Sequence, residues 1–327
     1  MSPTSPRYRV AVHGLPHFCR KLSALVHGGE WDVPYHSPFH PIGLAQRFTD
    51  LAQCDLAYSW TGNINPGLFL RVARALRKEK VIVLWCGSDV LFAAQQLKAG
   101  RKDPWVTSRV HWAVSPWLAE EVRALGVNCE YVQTSFVPPV APSPLPKEFS
   151  VLAYAVSLKK AELYGIDRII EAASKLPSIQ FNLVGLQEGN LPGAPRNLRV
   201  FGRVDLDELY RKSTVLWRPV RHDGLSFMVL EALSHGRHVI YSYALPGCAQ
   251  SISVNDSVEQ ITRLRDLHAA KRLTLNWEGL DIIARDYNRE IVRKRLLDRW
   301  EQIILASAAK TILPASSPAG RLAARSK

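Results

Sequence analysis

Two carboxylates stand eight positions apart in the segment WRPVRHDGLSFMVLEALSHG, residues 217–236. Asp223 follows a short apolar run that predicts a strand, and Glu231 lies in the next apolar run. Eight residues are slightly more than two helical turns, so we expect Glu231 on a largely apolar helix. A buried carboxylate there needs a polar partner, and two ribose hydroxyls would supply one. The structural alternative is that Asp223 caps the helix while Glu231 binds a nearby arginine.

The residues between the two acids have the features of an anion site. They begin with Gly224 and continue into the predicted helix. The backbone N–H groups of Leu225, Ser226 and Phe227 would face outward at the N-terminus of that helix. Ligands of open α/β sheets bind at the carboxyl ends of strands, where such helices begin.

Strands that alternate with helices are predicted to position these residues. The predicted strands are 8–13, 56–59, 81–85, 110–114, 149–154, 179–184, 215–218 and 238–241. The main predicted helices are 42–50, 66–77, 116–125, 165–175, 207–213, 228–235, 258–269 and 289–306. This alternation predicts the α/β class with parallel sheets.

The best linker is residues 137–147, which contain five prolines and cannot hold a regular helix. It divides the chain into an N-terminal domain of residues 1–145 and a C-terminal domain of residues 146–288. A final helix is expected at 289–306, and residues 307–327 are expected to be a flexible tail.

Composition limits the class of protein. Hydrophobic residues make up 47% of the chain and charged residues 22%, which is ordinary for a globular protein. The five cysteines form no CxxC pair, and we expect no secretory signal, so a cytoplasmic location is predicted. The net charge of +13 is spread along the chain, whereas a nucleic-acid-binding protein should concentrate it.

The segment with the two acids resembles the nucleotide-sugar motif of the retaining glycosyltransferases of family 4. That pattern is an acid, seven residues, Glu, then Ala and Gly; here the residues are Asp223, Glu231, Ala232 and Gly236. The resemblance implies the GT-B fold, in which two Rossmann-like domains face each other across a cleft. It also implies that Glu231 holds the ribose and that Asp223 holds donor-sugar hydroxyls. The first acid is usually Glu, so Asp223 is a departure.

The resemblance extends through the C-terminal half. Lys159 falls on the position of the family's diphosphate-binding arginine, and Tyr164 falls on that of its lysine. Lys160 is expected to substitute, although both lysines also fit a solvated strand end. The remaining expected nucleotide-binding residues of this half are Gly185, Gly202, Arg203 and Val204, together with the loop at 225–227.

The N-terminal half matches more loosely. WCGSDV, residues 85–90, resembles a motif in which a histidine touches the reacting sugar, and Cys86 stands at the histidine position. Gly14 and Leu15 resemble the first-strand loop that approaches the donor phosphate. The resemblance also implies that the helix at 289–306 crosses back to the N-terminal domain. The expected catalytic residues are Asp223, Glu231, Cys86 and Lys159.

The implied activity is sugar transfer from a nucleoside-diphosphate sugar to a hydroxyl of a glycan, a lipid-linked sugar or a small molecule, with retention. No cofactor or metal is expected. Asp205 and Asp207 spell a DxD but precede a helix, where capping explains them. The alternatives are a nucleotide-sugar epimerase of the same fold and a non-catalytic nucleotide-sugar-binding protein.

Two further patterns have two interpretations each. A basic stripe either contacts anionic lipid at the inner membrane face or is a solvated helix end. Its members are Arg71, Arg74, Arg77, Lys78 and Lys80. An early aromatic loop either lines an acceptor pocket or covers the core. Its members are Trp31, Tyr35, His36, Phe39 and His40.

Overall fold

The structure, a computed structural model, describes residues 6–138, 140–186, 191–202 and 204–306. This part of the chain forms two parallel six-stranded sheets with helices packed on them. The predicted α/β class with parallel sheets is therefore confirmed. None of the helices in these ranges is long and apolar enough to cross a membrane.

The N-terminal sheet has the strand order β2-β1-β3-β4-β5-β6. Its strands are β1 (Tyr8–Gly14), β2 (Trp31–Asp32), β3 (Leu56–Trp60), β4 (Val81–Trp85), β5 (Val110–Ala113) and β6 (Cys129–Tyr131). Its helices are α1 (Pro16–Val26), α2 (Pro41–Gln53), α3 (Leu68–Ala75), α4 (Asp89–Lys98), α5 (Pro104–Thr107) and α6 (Pro116–Ala124). All five residues of β4 are buried, because a central parallel strand is covered on both faces.

The C-terminal sheet has the order β12-β11-β10-β7-β8-β9. Its strands are β7 (Ser150–Tyr154), β8 (Gln180–Val184), β9 (Leu198–Phe201), β10 (Val215–Arg218), β11 (His238–Tyr241) and β12 (Ala249–Gln250). Its helices are α7 (Ala161–Tyr164), α8 (Ile166–Lys175), α9 (Leu206–Lys212), α10 (Phe227–Ser234), α11 (Val254–Ala269) and α12 (Trp277–Asp286). The chain runs from β7 out to β9 and returns to the other side of β7, so the strand order reverses between β7 and β10.

The last helix of the described chain, α13 (Arg289–Leu305), packs against the N-terminal sheet. Trp300 is fully buried, with its ring centroid 5.2 Å from that of Tyr58 and 5.8 Å from that of Trp31. The Tyr8 hydroxyl donates to a carboxylate oxygen of Glu301 at 2.8 Å. This helix therefore ties the end of the described chain to its first strand.

Several elements were not predicted from the sequence. They are α4, α5, α7, α12, β2, β6, β9 and β12. Only Val90 and Ala93 are buried on α4, so its sequence lacks a clear apolar period. The four edge strands have two to four residues each, too short for an alternation to be read. The predicted tail, residues 307–327, lies outside the described residues.

Candidate functional site

Loops from the two sheets meet where the carboxyl ends of their strands face each other. A Cβ atom at Gly224, after β10, would collide with the carbonyl oxygen of Cys86, after β4. The indole Nε1–H of Trp117, at the start of α6, donates to the carbonyl oxygen of Asp223 at 2.9 Å. Glycine is needed at position 224 because the two backbones approach within contact distance there. The structure thus brings Cys86 and Asp223, distant in sequence, into one cleft.

Glu231 lies half-buried on α10, and Tyr210 of α9 holds it. The Tyr210 hydroxyl donates to Oε2 of Glu231 at 2.9 Å, and no described residue donates to Oε1. Burial raises the pKa of Glu231, while the hydrogen bond from Tyr210 and the nearby charge of Lys21 act in the opposite direction. The partner is thus a tyrosine rather than an arginine. One carboxylate oxygen remains available to a ligand.

The N-terminus of α10 points toward α1 across the cleft. Ser226 is the N-cap residue, but its side chain makes no capping hydrogen bond. Among the described residues, none accepts from the backbone N–H groups of Leu225, Ser226 or Phe227. The Phe227 ring stacks on Phe18 at 5.8 Å, and Nζ of Lys21 lies 4.7 Å from the Phe227 ring centroid. These N–H groups and the lysine provide positive potential for an anion.

Asp223 forms an ion pair instead of capping α10. Its Oδ2 accepts from Nε of Arg218 at 2.7 Å and from the Tyr241 hydroxyl at 3.2 Å. Its backbone N–H donates to the Tyr243 hydroxyl at 3.1 Å. The carboxylate is therefore fixed from the C-terminal domain, while Trp117 of the other domain holds its backbone.

Sequence reasoning missed Arg218, the last residue of β10. Its side chain is 8% exposed and carries a full charge, because Asp223 offsets the cost of burial and raises the pKa of the guanidinium. The signal in the sequence is an arginine directly after the apolar run Val215–Trp217, where a continuous strand predicts another apolar residue.

Cys86 is a neutral thiol at the end of β4. Burial, with the nearby Asp89 carboxylate adding to it, raises the pKa of Cys86 well above its ordinary value. Asp89 accepts from the backbone N–H groups of Cys86, Gly87 and Gly62 at 3.0, 2.8 and 2.8 Å. Asp89 thus shapes the loop that carries Cys86, and the thiol is unsuited to act as a base near neutral pH.

Four other predicted site residues lie at or after the carboxyl ends of β1 and β7. Lys159 and Lys160 are exposed on a single 3-10 turn, Leu158–Lys160, in which the backbone N–H of Lys159 donates to the Ser157 hydroxyl at 3.1 Å. Gly14 has a φ of 147° and packs against Trp60, and Leu15, which is 60% exposed, occupies the N-cap position of α1 without a side-chain hydrogen bond.

The expected nucleotide-binding glycines Gly185 and Gly202 directly follow β8 and β9. The Gly185 N–H donates to the Gly202 carbonyl oxygen at 3.5 Å, which places these two glycines side by side. Val204 is 40% exposed. Arg203 lies outside the described residues.

The two aspartates of the DxD are structural. Asp205 is the N-cap of α9 and accepts from the N–H of Asp207 at 3.0 Å. Asp207 pairs with the buried His235 at 3.0 Å. Within the described part of the chain, no three His, Cys, Asp or Glu residues form a group able to hold a metal ion.

The basic stripe is largely engaged by the protein itself. Lys78 donates to two carbonyl oxygens near the end of α2, and Lys80 donates to the carbonyl oxygen of Ile304 on α13. Arg74 pairs with Asp103 at 3.2 Å. These contacts favour a structural role for most of the stripe.

The early aromatic loop is divided between core and surface. Trp31 is buried against Tyr8 and Trp300, whereas Phe39 is 84% exposed. His36 pairs with the buried Asp50 at 3.2 Å. Trp31 therefore covers the core, and Phe39 remains available for contact with another molecule.

A cavity of about 550 Å³ lies at one edge of the cleft. Its lining includes Trp117, Tyr131, Leu245, Tyr287 and Arg295, and none of the predicted site residues. Those predicted nucleotide-binding residues that the structure describes therefore do not line this cavity.

Comparison with known proteins adds a match to a family model and a fold. Residues 150–272 match the model of the family described as glycosyl transferases group 1. The chain is similar in structure to HepE of Anabaena in complex with UDP-glucose, with a TM-score of 0.62, 12% identity, and 90% of this chain and 100% of that chain covered. Sucrose-phosphate synthase from Thermosynechococcus elongatus gives a TM-score of 0.61 and 14% identity, with 93% and 100% covered.

A galactosyltransferase of the lipopolysaccharide outer core, WaaB, gives a TM-score of 0.59 and 14% identity, with 90% of this chain and 98% of that chain covered. The chain spans only 60% of the matched chain of the GtfA/B complex and 59% of that of TarM from S. aureus. No curated protein sequence matches significantly. At these identities the likeness shows the fold alone, and that fold is GT-B, as predicted.

Proposed function

We propose that this chain, whose residues 150–272 form a group 1 glycosyltransferase domain within a GT-B fold, moves a sugar from a nucleoside-diphosphate sugar to a hydroxyl acceptor with retention. The observation that carries the proposal is Glu231. It lies at the cleft in the matched domain, with Tyr210 on one carboxylate oxygen and the other oxygen available. A half-buried carboxylate of this kind suits a pair of ribose hydroxyls, since each would donate a charge-assisted hydrogen bond.

The groups near Glu231 suit a diphosphate. The N–H groups at the start of α10 and the ammonium group of Lys21 on α1 face each other across the cleft. Gly14 lets the first loop pack directly against Trp60, because a Cβ atom there would collide with the Trp60 carbonyl oxygen. Donors fixed by the fold stabilise the charge that develops on a leaving diphosphate without reorganising, which would supply much of the acceleration.

Cys86 bears on how the acceptor is deprotonated. A thiol with a pKa well above its ordinary value stays protonated near neutral pH, so it is not the base. The proposal therefore assigns acceptor deprotonation to the donor's own phosphate, on the face from which the leaving group departs. Neither a protein nucleophile nor a metal ion is required in this scheme.

A transfer assay tests the proposal. The protein is incubated with UDP-glucose, UDP-galactose or GDP-mannose and a mixture of sugar and glycerol acceptors, and the products are followed by NMR. UDP-glucose is included because HepE was solved with it. Formation of an α-glycoside from an α-linked donor supports the proposal, and a β-glycoside would contradict retention. Glu231→Gln is the control, since it keeps the shape of the side chain and removes the charge.

The same assay separates the two alternatives. An epimerase releases a free nucleotide-sugar with inverted stereochemistry at one carbon when no acceptor is present. A non-catalytic protein binds the donor but neither transfers nor hydrolyses it over many hours.

We further propose a cytoplasmic location with peripheral membrane contact through the start of α2. Phe39 is 84% exposed and Ile42 is 63% exposed there, and the chain has a net charge of +13. Co-sedimentation with vesicles of phosphatidylglycerol, but not of phosphatidylcholine, is expected. The double variant Phe39→Ser with Ile42→Ser should reduce it, whereas Ile252→Ser, at a position 71% exposed on the other domain, should not. Equal binding by all three proteins would contradict this contact.

A further inference from the structure

The topology of the C-terminal sheet marks one crevice for ligands. β7 and β10 are hydrogen-bonded neighbours, but the chain leaves them in opposite directions across the sheet. In open α/β sheets, ligands bind outside the carboxyl ends of the two strands where the order reverses. Tyr154 is the last residue of β7, and Arg218 is the last residue of β10. Arg218 therefore lies at the reversal point itself.

The Arg218 guanidinium is buried with a donor unused. Its carbon lies 5.6 Å from the ring centroid of Tyr154 and 5.7 Å from that of Tyr164. Nε donates to Asp223, but Nη1 is shielded from solvent and has no acceptor among the described residues. An unmet donor on a buried charge is costly, and ligand oxygens that accept from it would remove that cost.

The Arg218 charge lies beside Tyr164, a position at which a cation is expected. It stands where the resembling family has a diphosphate-binding lysine, so this chain lacks a cation there. The guanidinium of Arg218, at the end of β10, lies against the ring of that same tyrosine, which is on α7. A guanidinium presents N–H groups in a planar fork that matches two phosphate oxygens.

We propose that Arg218 binds the diphosphate of the donor and replaces the cation that is absent at position 164. The inference rests on the proposed function and identifies a residue of that same site. Asp223 then acts as a positioning residue, because its Oδ2 holds the guanidinium in the crevice. Only its other oxygen is left to meet a sugar hydroxyl.

The experiment compares two charge-matched pairs. The test variant combines Arg218→Met with Asp223→Asn, which removes the pair without leaving either charge buried alone. The control combines Arg221→Met with Asp167→Asn, which removes a surface pair of the same composition whose closest N–O distance is 2.6 Å. Both variants carry the same change in net charge, so any long-range electrostatic effect is shared.

Isothermal titration calorimetry measures each protein with UDP, GDP and ADP, and with the nucleoside of the tightest ligand. The measured quantity is the affinity for the diphosphate divided by the affinity for its nucleoside. We expect this ratio to fall at least tenfold in the test variant and to stay constant in the control. Arg218→Lys keeps the ion pair but loses the planar fork. Its ratio should fall by at least about threefold, which is less than the fall expected in the test variant.

Two results would overturn the inference. An unchanged ratio in the test variant, which equal losses for diphosphate and nucleoside would give, would make the pair purely structural. If the test variant does not fold, as judged by circular dichroism, an unchanged ratio in Arg218→Lys overturns the inference in its place. A wild-type protein that binds none of the three diphosphates would refute the proposed function itself, which is a different result from a change of ratio.

Discussion

Replacing Glu231 with alanine should weaken nucleotide binding through the ribose alone. The structure leaves Oε1 of Glu231 available, and Tyr210 already fixes the carboxylate, so little ordering is needed when the nucleotide binds. A hydrogen bond to a charged group contributes about 1.5–3 kcal/mol. Because the two ribose hydroxyls share one carboxylate, we expect a loss of about 2–3 kcal/mol, or about a 30- to 150-fold rise in Kd.

A 2′-deoxynucleotide makes the assay specific. Calorimetry is run with the ribonucleoside diphosphate that binds best and with its 2′-deoxy analogue. The wild-type protein should prefer the ribo form, and Glu231→Ala should bind both with nearly equal affinity. Tyr210→Phe removes only the supporting hydroxyl, so a smaller loss of about 1 kcal/mol is expected. If Glu231→Ala retained the full preference for the ribo form, the assignment of Glu231 to the ribose would be wrong.

Three other predictions concern stability, pH and metal. Trp300→Ala should lower the free energy of unfolding by about 3–5 kcal/mol in urea titrations, because it empties a fully buried site between α13 and the N-terminal sheet. The control Ile291→Ala, at a position 39% exposed on the same helix, should lower it far less. Similar losses in the two variants would argue against that packing. Burial lowers the pKa of His111 from 6.5 to about 4, so the unfolded chain takes up the proton at a higher pH than the folded protein. As the pH falls from 6.5 to 4, the free energy of unfolding should therefore decrease by about 3 kcal/mol. A His111→Gln protein with the same pH dependence would contradict this. Transfer should be unaffected by EDTA, because Asp205 caps α9 and Asp207 pairs with His235; activity abolished by EDTA and restored by manganese would refute this.

Local patterns in the sequence predicted much of the fold. Continuous apolar runs such as Val81–Trp85 predicted buried strands, since a central parallel strand is covered on both faces. The spacing of Asp223 and Glu231 predicted that a loop and the following helix would carry the two acids. These features depend on neighbours within a few residues, so a single sequence contains the information. Edge strands and α4 escaped detection because their side chains are only partly buried, which weakens the apolar period.

Sequence alone thus determined the α/β class, the positions of most central strands and the two acids of the cleft. Only the tertiary structure decided which groups those acids meet. The backbone carbonyl oxygen of Asp223 accepts a hydrogen bond from Trp117, which is 106 positions away. The guanidinium of Arg218 lies against the ring of Tyr164, which belongs to another element. Such contacts depend on how two sheets face each other and on the reversal of strand order between β7 and β10. The partner of a buried charge is chosen by three-dimensional proximity and the cost of desolvation, and residue spacing encodes neither.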